Sequence, residues 1–341
     1  MIPLSILDLS FVNAGATPAQ ALQDTLALAR HADPLGYTRY WLSEHHALPS
    51  VASPAPEIMI GQIAAVTRRL RVGAGGIMLP NHAPLLVAER FKTLEALFPG
   101  RIDLGLGRAP GTDGLTAQAL RRRDTSQGGD DFLERLRELL LWDTGAFPEG
   151  HPFGRIAVMP SGVRLPPVFL LGSSDYSAQL SGRMGLGFAF AQHFGSADAA
   201  QAMLAYRGLW QSSGWREAPH AILAVAAICA ETDAQAERLA QSSELATLRR
   251  ERGEYVALPS PEEAERYPYT DAERARIRRG RARLHVGSPA TLAVTFERLA
   301  TETQADEIMI FSAIHDQVAR RRSYSLIAEA WDLAAGVDRA A

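Results

Sequence analysis

Residues 70–110 read LRVGAGGIMLPNHAPLLVAERFKTLEALFPGRIDLGLGRAP, and the fold turns on them. An apolar run (70–79) meets a Pro80-Asn81 turn. Val87, Phe91, Leu94 and Phe98 then recur on one face at helical spacing, Pro99-Gly100 stops the helix, and a second apolar run (102–106) follows at once. Two continuous apolar strands joined through a helix form a parallel strand–helix–strand unit whose strands are covered on both faces. Both strands carry glycine at their C-terminal ends: Gly73-Ala74-Gly75-Gly76 in the first and Gly105-Leu106-Gly107 in the second. Glycine inside a strand marks a bulge, or a place where another group lies against the backbone.

The same unit repeats outward in both directions. Toward the N-terminus, a strand at 4–12 precedes a helix opened by Thr17 as N-cap with Pro18 in its first turn and closed by Gly36. Tyr40-Trp41-Leu42 is a short strand entering Ser43-Glu44-His45-His46, and Ser53-Pro54 opens a helix to Thr67. Toward the C-terminus, strands are expected at 167–171, 187–191, 221–229 and 306–312, and helices at 130–142, 176–184, 197–211, 286–301 and 320–333. About eight strands alternate with about eight helices and no composition break divides them. The expectation is therefore one α/β domain over residues 1–341, a (β/α)8 TIM barrel. Long connections at 111–129, 143–165 and 245–284 are insertions on it. The last is polar and contains three prolines and a basic run, Arg274 to Arg283, which reads as a solvated helix face. A doubly wound open sheet is the alternative, but the turn after the first strand, Asn13-Ala14-Gly15-Ala16-Thr17-Pro18, lacks the G-x-G-x-x-G phosphate fingerprint.

Composition narrows the function. The chain of 341 residues is 47% hydrophobic and 21% charged, with a net charge of −3 and a pI near 6.3, which gives no support for nucleic-acid or membrane-surface binding. The single cysteine, Cys229, rules out an internal disulfide and reads as core. The first residues, MIPLSILDLS, have no signal-peptide pattern, and no uncharged apolar run approaches the ~20 residues of a membrane span. A cytoplasmic protein is expected. No H-E-x-x-H or H-x-H spacing occurs, so no metal site is expected.

Active sites of such barrels lie at the C-terminal ends of the strands. Those positions here hold Ser43-Glu44-His45-His46, Gly73 to Gly76, Asn81-His82, Gly107-Arg108, Gly172-Ser173-Ser174, Gln192-His193 and Ser312. His45 and His46 are adjacent, so in extended backbone one faces the mouth and the other does not. Arg108 presents a guanidinium suited to a phosphate or another anion. Gly172-Ser173-Ser174, followed by Ser177, passes from strand into helix. Backbone N–H groups and hydroxyls there could cradle an anion, or Ser174 or Asp175 could simply cap the helix. No G-x-S-x-G elbow exists, which disfavours a serine hydrolase.

Several of these stretches resemble the bacterial-luciferase-like flavin-dependent monooxygenases, over nearly the whole chain. The specific ones are Trp41 to His46, Gly73 to Pro80 with Ala88-Glu89-Arg90, Gly100 to Arg108, and Val286-Gly287-Ser288-Pro289 with Asp306-Glu307-Ile308-Met309. The similarity is greatest to luciferase-like monooxygenases of unassigned substrate. It implies reduced FMN, supplied by a separate flavin reductase, with the ring against the backbone of Ala74, Gly75 and Gly76 and a cis peptide at Gly75-Gly76. It implies that Arg108, Gly172, Ser173, Ser174 and Ser177 hold the phosphate and that His45 is catalytic. It further implies O2 activation through a C4a-peroxyflavin to oxidise a small organic substrate such as an aldehyde, a homodimer through the helices at 54–68 and 84–98, and a lid at 245–284. A deazaflavin-dependent hydride transferase and a flavin-free binding protein on the same barrel remain as alternatives.

Overall fold

The computed structural model describes residues 2–121, 131–195 and 197–334. Part of the 111–129 connection and the expected helix start at Asp130 lie outside those residues. Strands β1 (Leu4–Asp8), β2 (Arg39–Leu42), β3 (Arg71–Met78), β4 (Ile102–Gly107), β5 (Val168–Gly172), β6 (Gly187–Ala191) and β7 (Ala221–Cys229) follow one another in parallel. β8 (Leu284–Gly287) and β9 (Glu307–Phe311) complete the sheet. β9 pairs with both β7 and β1, which closes an eight-stranded (β/α)8 barrel. β8 stands outside the ring. β7 is long enough for its first part, Ile222 to Ala226, to pair with β9 while its last part, Ala226 to Cys229, pairs with β8.

The outer layer holds α1 (Pro18–Ala32), α2 (Pro56–Val66), α3 (Pro84–Leu97), α4 (Gly114–Arg121), α5 (Phe132–Thr144), α6 (Asp175–Met184) and α7 (Ala199–Gly208). It continues with α8 (Asp233–Glu251), α9 (Pro261–Arg266), α10 (Asp271–Gly280), α11 (Pro289–Thr303) and α12 (Gln317–Ala330). Thr17 caps α1 in a reciprocal capping box with Gln20, and Pro18 sits in the first turn, as the sequence predicts. The periodic face of α3 is buried through Val87, Phe91 and Leu94. The first strand is shorter than expected, and α2 begins at Pro56 rather than at Ser53.

The largest departure lies after β7. The segment read as a polar insertion opens with the last turns of α8, a 19-residue helix capped by Thr232, and continues through α9 and α10. α8 buries Ala236, Ala240, Ser242, Leu245 and Leu248. A face made largely of small residues gives little apolar contrast, so its period is faint in the sequence.

Inside the ring the lower layer is ionic. Arg39 Nη1 lies 2.7 Å from Asp103 Oδ2, and its Nε lies 2.7 Å from Glu307 Oε1. Arg71 reaches Asp103 at 2.6 Å, and the Trp41 indole N–H donates to the same carboxylate at 3.1 Å. Burial alone would raise the pKa values of Asp103 and Glu307; the Arg39 charge and the surrounding hydrogen bonds hold both below the ordinary carboxylate values. Above this plug sits an apolar layer that includes Leu7, Trp41, Phe169 and Met309, with Trp41 edge-on to Phe169 at 5.1 Å. The barrel is thus sealed at its N-terminal side. β3 and β4 approach each other closely: a Cβ on Gly105 would lie 2.1 Å from the Ala74 carbonyl oxygen, so that position admits only glycine.

Candidate active site

A cavity of about 940 Å3 opens above the apolar layer, at the C-terminal ends of the strands. Trp41, Leu7 and Gly75 contribute to its floor, His45 and Ser43 come from the end of β2, and Gly107 and Arg108 from the end of β4. Gly172, Ser173, Ser174 and Ser177 line the wall where β5 passes into α6.

The peptide bond Gly75-Gly76 is cis, as the resemblance implies, and the β3–β4 register shifts between Ala74 and Ile77. Of the three residues expected under a ring, Gly75 lines the cavity. The Ala74 side chain packs with the outer core, between strands and helices. Gly76 is buried against the Gly105 backbone: a Cβ on it would lie 2.7 Å from the Gly105 carbonyl oxygen.

Ser174 is the N-cap of α6 in extended conformation, yet its side chain makes no cap hydrogen bond. Simple capping by Ser174 therefore does not describe this end. The hydroxyls of Ser173 and Ser174 border the cavity with the first-turn N–H groups of a ten-residue helix. Arg108 reaches the same side, its guanidinium 4.5 Å from the centre of the Tyr176 ring. A cationic fork, hydroxyls and a helix N-terminus converge, and the set fits a phosphate.

His45 and His46 diverge as extended backbone requires. His45 lines the cavity with Nδ1 3.3 Å from the Gly111 carbonyl oxygen. His46 turns away, Nε2 2.8 Å from Glu44 Oε1. Glu44 is fully buried and acts as a hub: it accepts from the Met78 backbone N–H at 2.8 Å, from Asn81 at 3.1 Å and meets His82 Nε2 at 3.0 Å. Asn81 and His82, expected at the mouth, thus serve Glu44. Asn81 also donates to Pro110 O, and Thr112 donates to His46 O. These bonds lace together the ends of β2, β3 and β4 and fix the Gly111 carbonyl against His45.

Burial, partly offset by the Gly111 carbonyl and the Glu44 charge, lowers the His45 pKa below 6.5. His193, at the end of β6, also lines the cavity, 3.3 Å from the Ala224 carbonyl oxygen. Burial lowers its pKa to about 4. Both imidazoles are neutral at neutral pH. Among the described residues no group of three His, Cys, Asp or Glu side chains is arranged to hold a metal ion.

The family model described as luciferase-like monooxygenase matches residues 2–307. The chain belongs to that family. A luciferase-like monooxygenase of Escherichia coli strain K12 is 41% identical over 325 residues, covering 95% of this chain and 96% of the relative. The N-acetyl-S-alkylcysteine monooxygenase of Bacillus subtilis strain 168 is 34% identical, covering 97% and 98%. The crystal structure of apo-MsnO8 superimposes with a TM-score of 0.89 at 38% identity, covering 98% of this chain and 99% of that one.

Two contributors to the site were hidden from sequence reading. Arg250, in the last turn of α8, lines the cavity. The basic run keeps its solvated face, with Arg274, Arg276, Arg278 and Arg279 exposed, and Arg276, Arg279, Arg281 and Arg283 also border the cavity. That border has one cause: the insertion folds as helices beside the strand ends, so α10 and its C-terminal turn reach the edge of the cavity.

Proposed function

We propose that the protein is an FMN-dependent monooxygenase that uses reduced flavin and O2 to oxidise a small organic substrate, aldehyde-like or of another class. One observation carries this reading. Bare backbone at Gly75, the Arg108–Ser173–Ser174 anion cradle and the neutral His45 all border a single cavity with an apolar floor. Its extent suits a planar ring with a phosphate tail. The residues present fit FMN: Gly75, flanked by Ala74 and Gly76, would meet the ring, while Arg108, Gly172, Ser173, Ser174 and Ser177 would hold the phosphate. Reduced FMN bound there would supply the electrons that activate O2.

The protein's own tasks follow from its side chains. Leu7, Trp41 and Phe311 wall the site against water. With its Nδ1–H directed at the Gly111 carbonyl, His45 is left with a basic Nε2, and burial keeps that nitrogen unprotonated until a proton must be taken or returned. The Glu44 hub positions His45 without touching the chemistry.

We further propose a transient flavin reductase partner, a cytoplasmic location, and a homodimer through α2 and α3, which expose Ile58 and Leu97 (65% each). Among the described residues no helix is long and apolar enough to cross a membrane.

The test is to titrate the purified protein with FMN, riboflavin and a reduced deazaflavin, then follow 18O2 incorporation into candidate substrates with an added reductase. FMN preferred over riboflavin, with one 18O atom per product, is expected. Binding of the deazaflavin alone would overturn the proposal, and binding of none would mark a flavin-free barrel. His45→Ala should abolish most product formation while leaving FMN affinity within about two-fold, since His45 is assigned to proton transfer, whose contribution is typically ~10²–10⁴-fold.

A further inference from the structure

The charges along the end of α8 differ in one respect. The run is Arg249-Arg250-Glu251-Arg252. Arg249 pairs with Glu263 at 2.7 Å, Glu251 pairs with Arg276, and Arg252 pairs with Glu273. Those bonds tie α8 to α9 and α10. Arg250 has no carboxylate partner among the described residues, and it is the arginine of the three that lines the cavity. It does so in the cavity shared with His45 and His193, close enough for its charge to bear on both imidazoles.

Its surroundings are a mixture. Phe11, Val256, Leu258 and Phe311 give the cavity apolar surface near the strand ends. Six arginines line the cavity against three glutamates, although the chain as a whole carries a net charge of −3. Positive charge is therefore concentrated here. Arg108 accounts for one cation, on the β4 and α6 side. Arg276 and Arg281 are neutralised by carboxylates, and Arg283 donates to the Phe194 carbonyl oxygen at 3.2 Å. Arg250, in the last turn of α8, and Arg279, on α10, are the lining arginines that pair with no carboxylate among the described residues; of the two, it is Arg250 whose charge bears on His45 and His193. A guanidinium without a carboxylate partner, beside an apolar wall, matches a molecule with an anionic head and an apolar body.

We propose that Arg250 is a specificity-determining residue that pairs with the carboxylate or sulfonate of an anionic organic substrate, whose apolar part lies along the Phe11–Val256–Phe311 wall toward His45. This rests on the cavity being the substrate site of the proposed monooxygenase. The phosphate cradle at Arg108 and the substrate anchor at Arg250 are then two separate anion sites, one for the cofactor and one for the substrate.

Octanoate, octanesulfonate and octanamide are titrated by calorimetry into the full-length protein, with and without saturating oxidised FMN. Wild type, Arg250→Gln, Arg250→Lys and Arg108→Gln are compared. Wild type should bind the two anions at least ten-fold more tightly than the amide. Arg250→Gln should erase that preference while leaving FMN affinity unchanged. Arg250→Lys should retain part of it. Arg108→Gln should weaken FMN and leave the anion preference intact. Equal affinity for octanoate and octanamide in wild type, or a preference that survives in Arg250→Gln, would overturn the assignment, as would a preference that is lost in Arg108→Gln instead. Failure of FMN to bind would count against the flavin reading, and the anion–amide comparison in flavin-free protein would still decide the role of Arg250.

Discussion

Acidification should weaken the fold through His193, and the size of the effect follows from its surroundings. His193 sits in the cavity wall with its ring 5.6 Å from that of Phe311, and burial lowers its pKa from 6.5 to about 4. The native state therefore keeps it neutral, whereas the unfolded chain takes up a proton near pH 6.5. With the folded pKa below the unfolded one, stability is complete above about pH 6.5 and is lost as pH falls toward 4. At 1.36 kcal/mol per pKa unit, the loss from this residue between pH 7.5 and pH 5 is about 2 kcal/mol. His45 and His285 are lowered in the same direction, and His285 also to about 4, so the total slope is steeper. A double difference isolates His193. Urea unfolding of wild type and His193→Gln is measured at pH 7.5 and pH 5. The variant should gain about 2 kcal/mol relative to wild type on going to the lower pH. A stability difference that stays constant within 0.5 kcal/mol (roughly the error of such extrapolations) would refute the argument.

Glu44→Ala removes an acceptor shared by the Met78 N–H, Asn81, His46 and His82, and should cost about 2–4 kcal/mol by urea denaturation; Glu44→Gln, which keeps an oxygen for Met78, should cost less than half of that, and an unperturbed alanine variant would remove the hub. Arg39→Ala strands Asp103 and Glu307 in the barrel and should cost about 3–5 kcal/mol; a loss under about 1 kcal/mol would show that the remaining partners, Arg71 on Asp103 and His220 with its Nε2 3.1 Å from Glu307 Oε2, suffice to satisfy them. Arg108→Ala should weaken FMN by about 1.5–3 kcal/mol, the worth of a hydrogen bond to a charged group, and should barely affect riboflavin. Equal effects on both flavins would place Arg108 away from the phosphate.

The barrel could be read from the sequence because its strands are covered on both sides. Runs such as Ala221–Cys229, in which every residue is buried, leave little ambiguity, and the turn signals between them set the repeat. The glycines at 76 and 105 were visible for a related reason: close approach of two backbones leaves no room for a side chain. What could not be read depends on contacts between segments far apart in the chain. Nothing near Glu44 signals that its partners come from positions 78, 81 and 82, or that the carbonyl facing His45 belongs to Gly111. β8, at four residues, is too short to show a period, and α8 hides its buried face behind alanine and serine. The same ambiguity governs Arg249, Arg250 and Arg252, which are alike in sequence. Helical geometry sends them in different directions, and only the packing of α9 and α10 against α8 decides which two find glutamates and which is left over the cavity. The fold was therefore written in local pattern, whereas the polar groups that select a ligand were written in the packing of an insertion. A close relative could keep the barrel unchanged and alter its substrate by exchanging the residues near position 250.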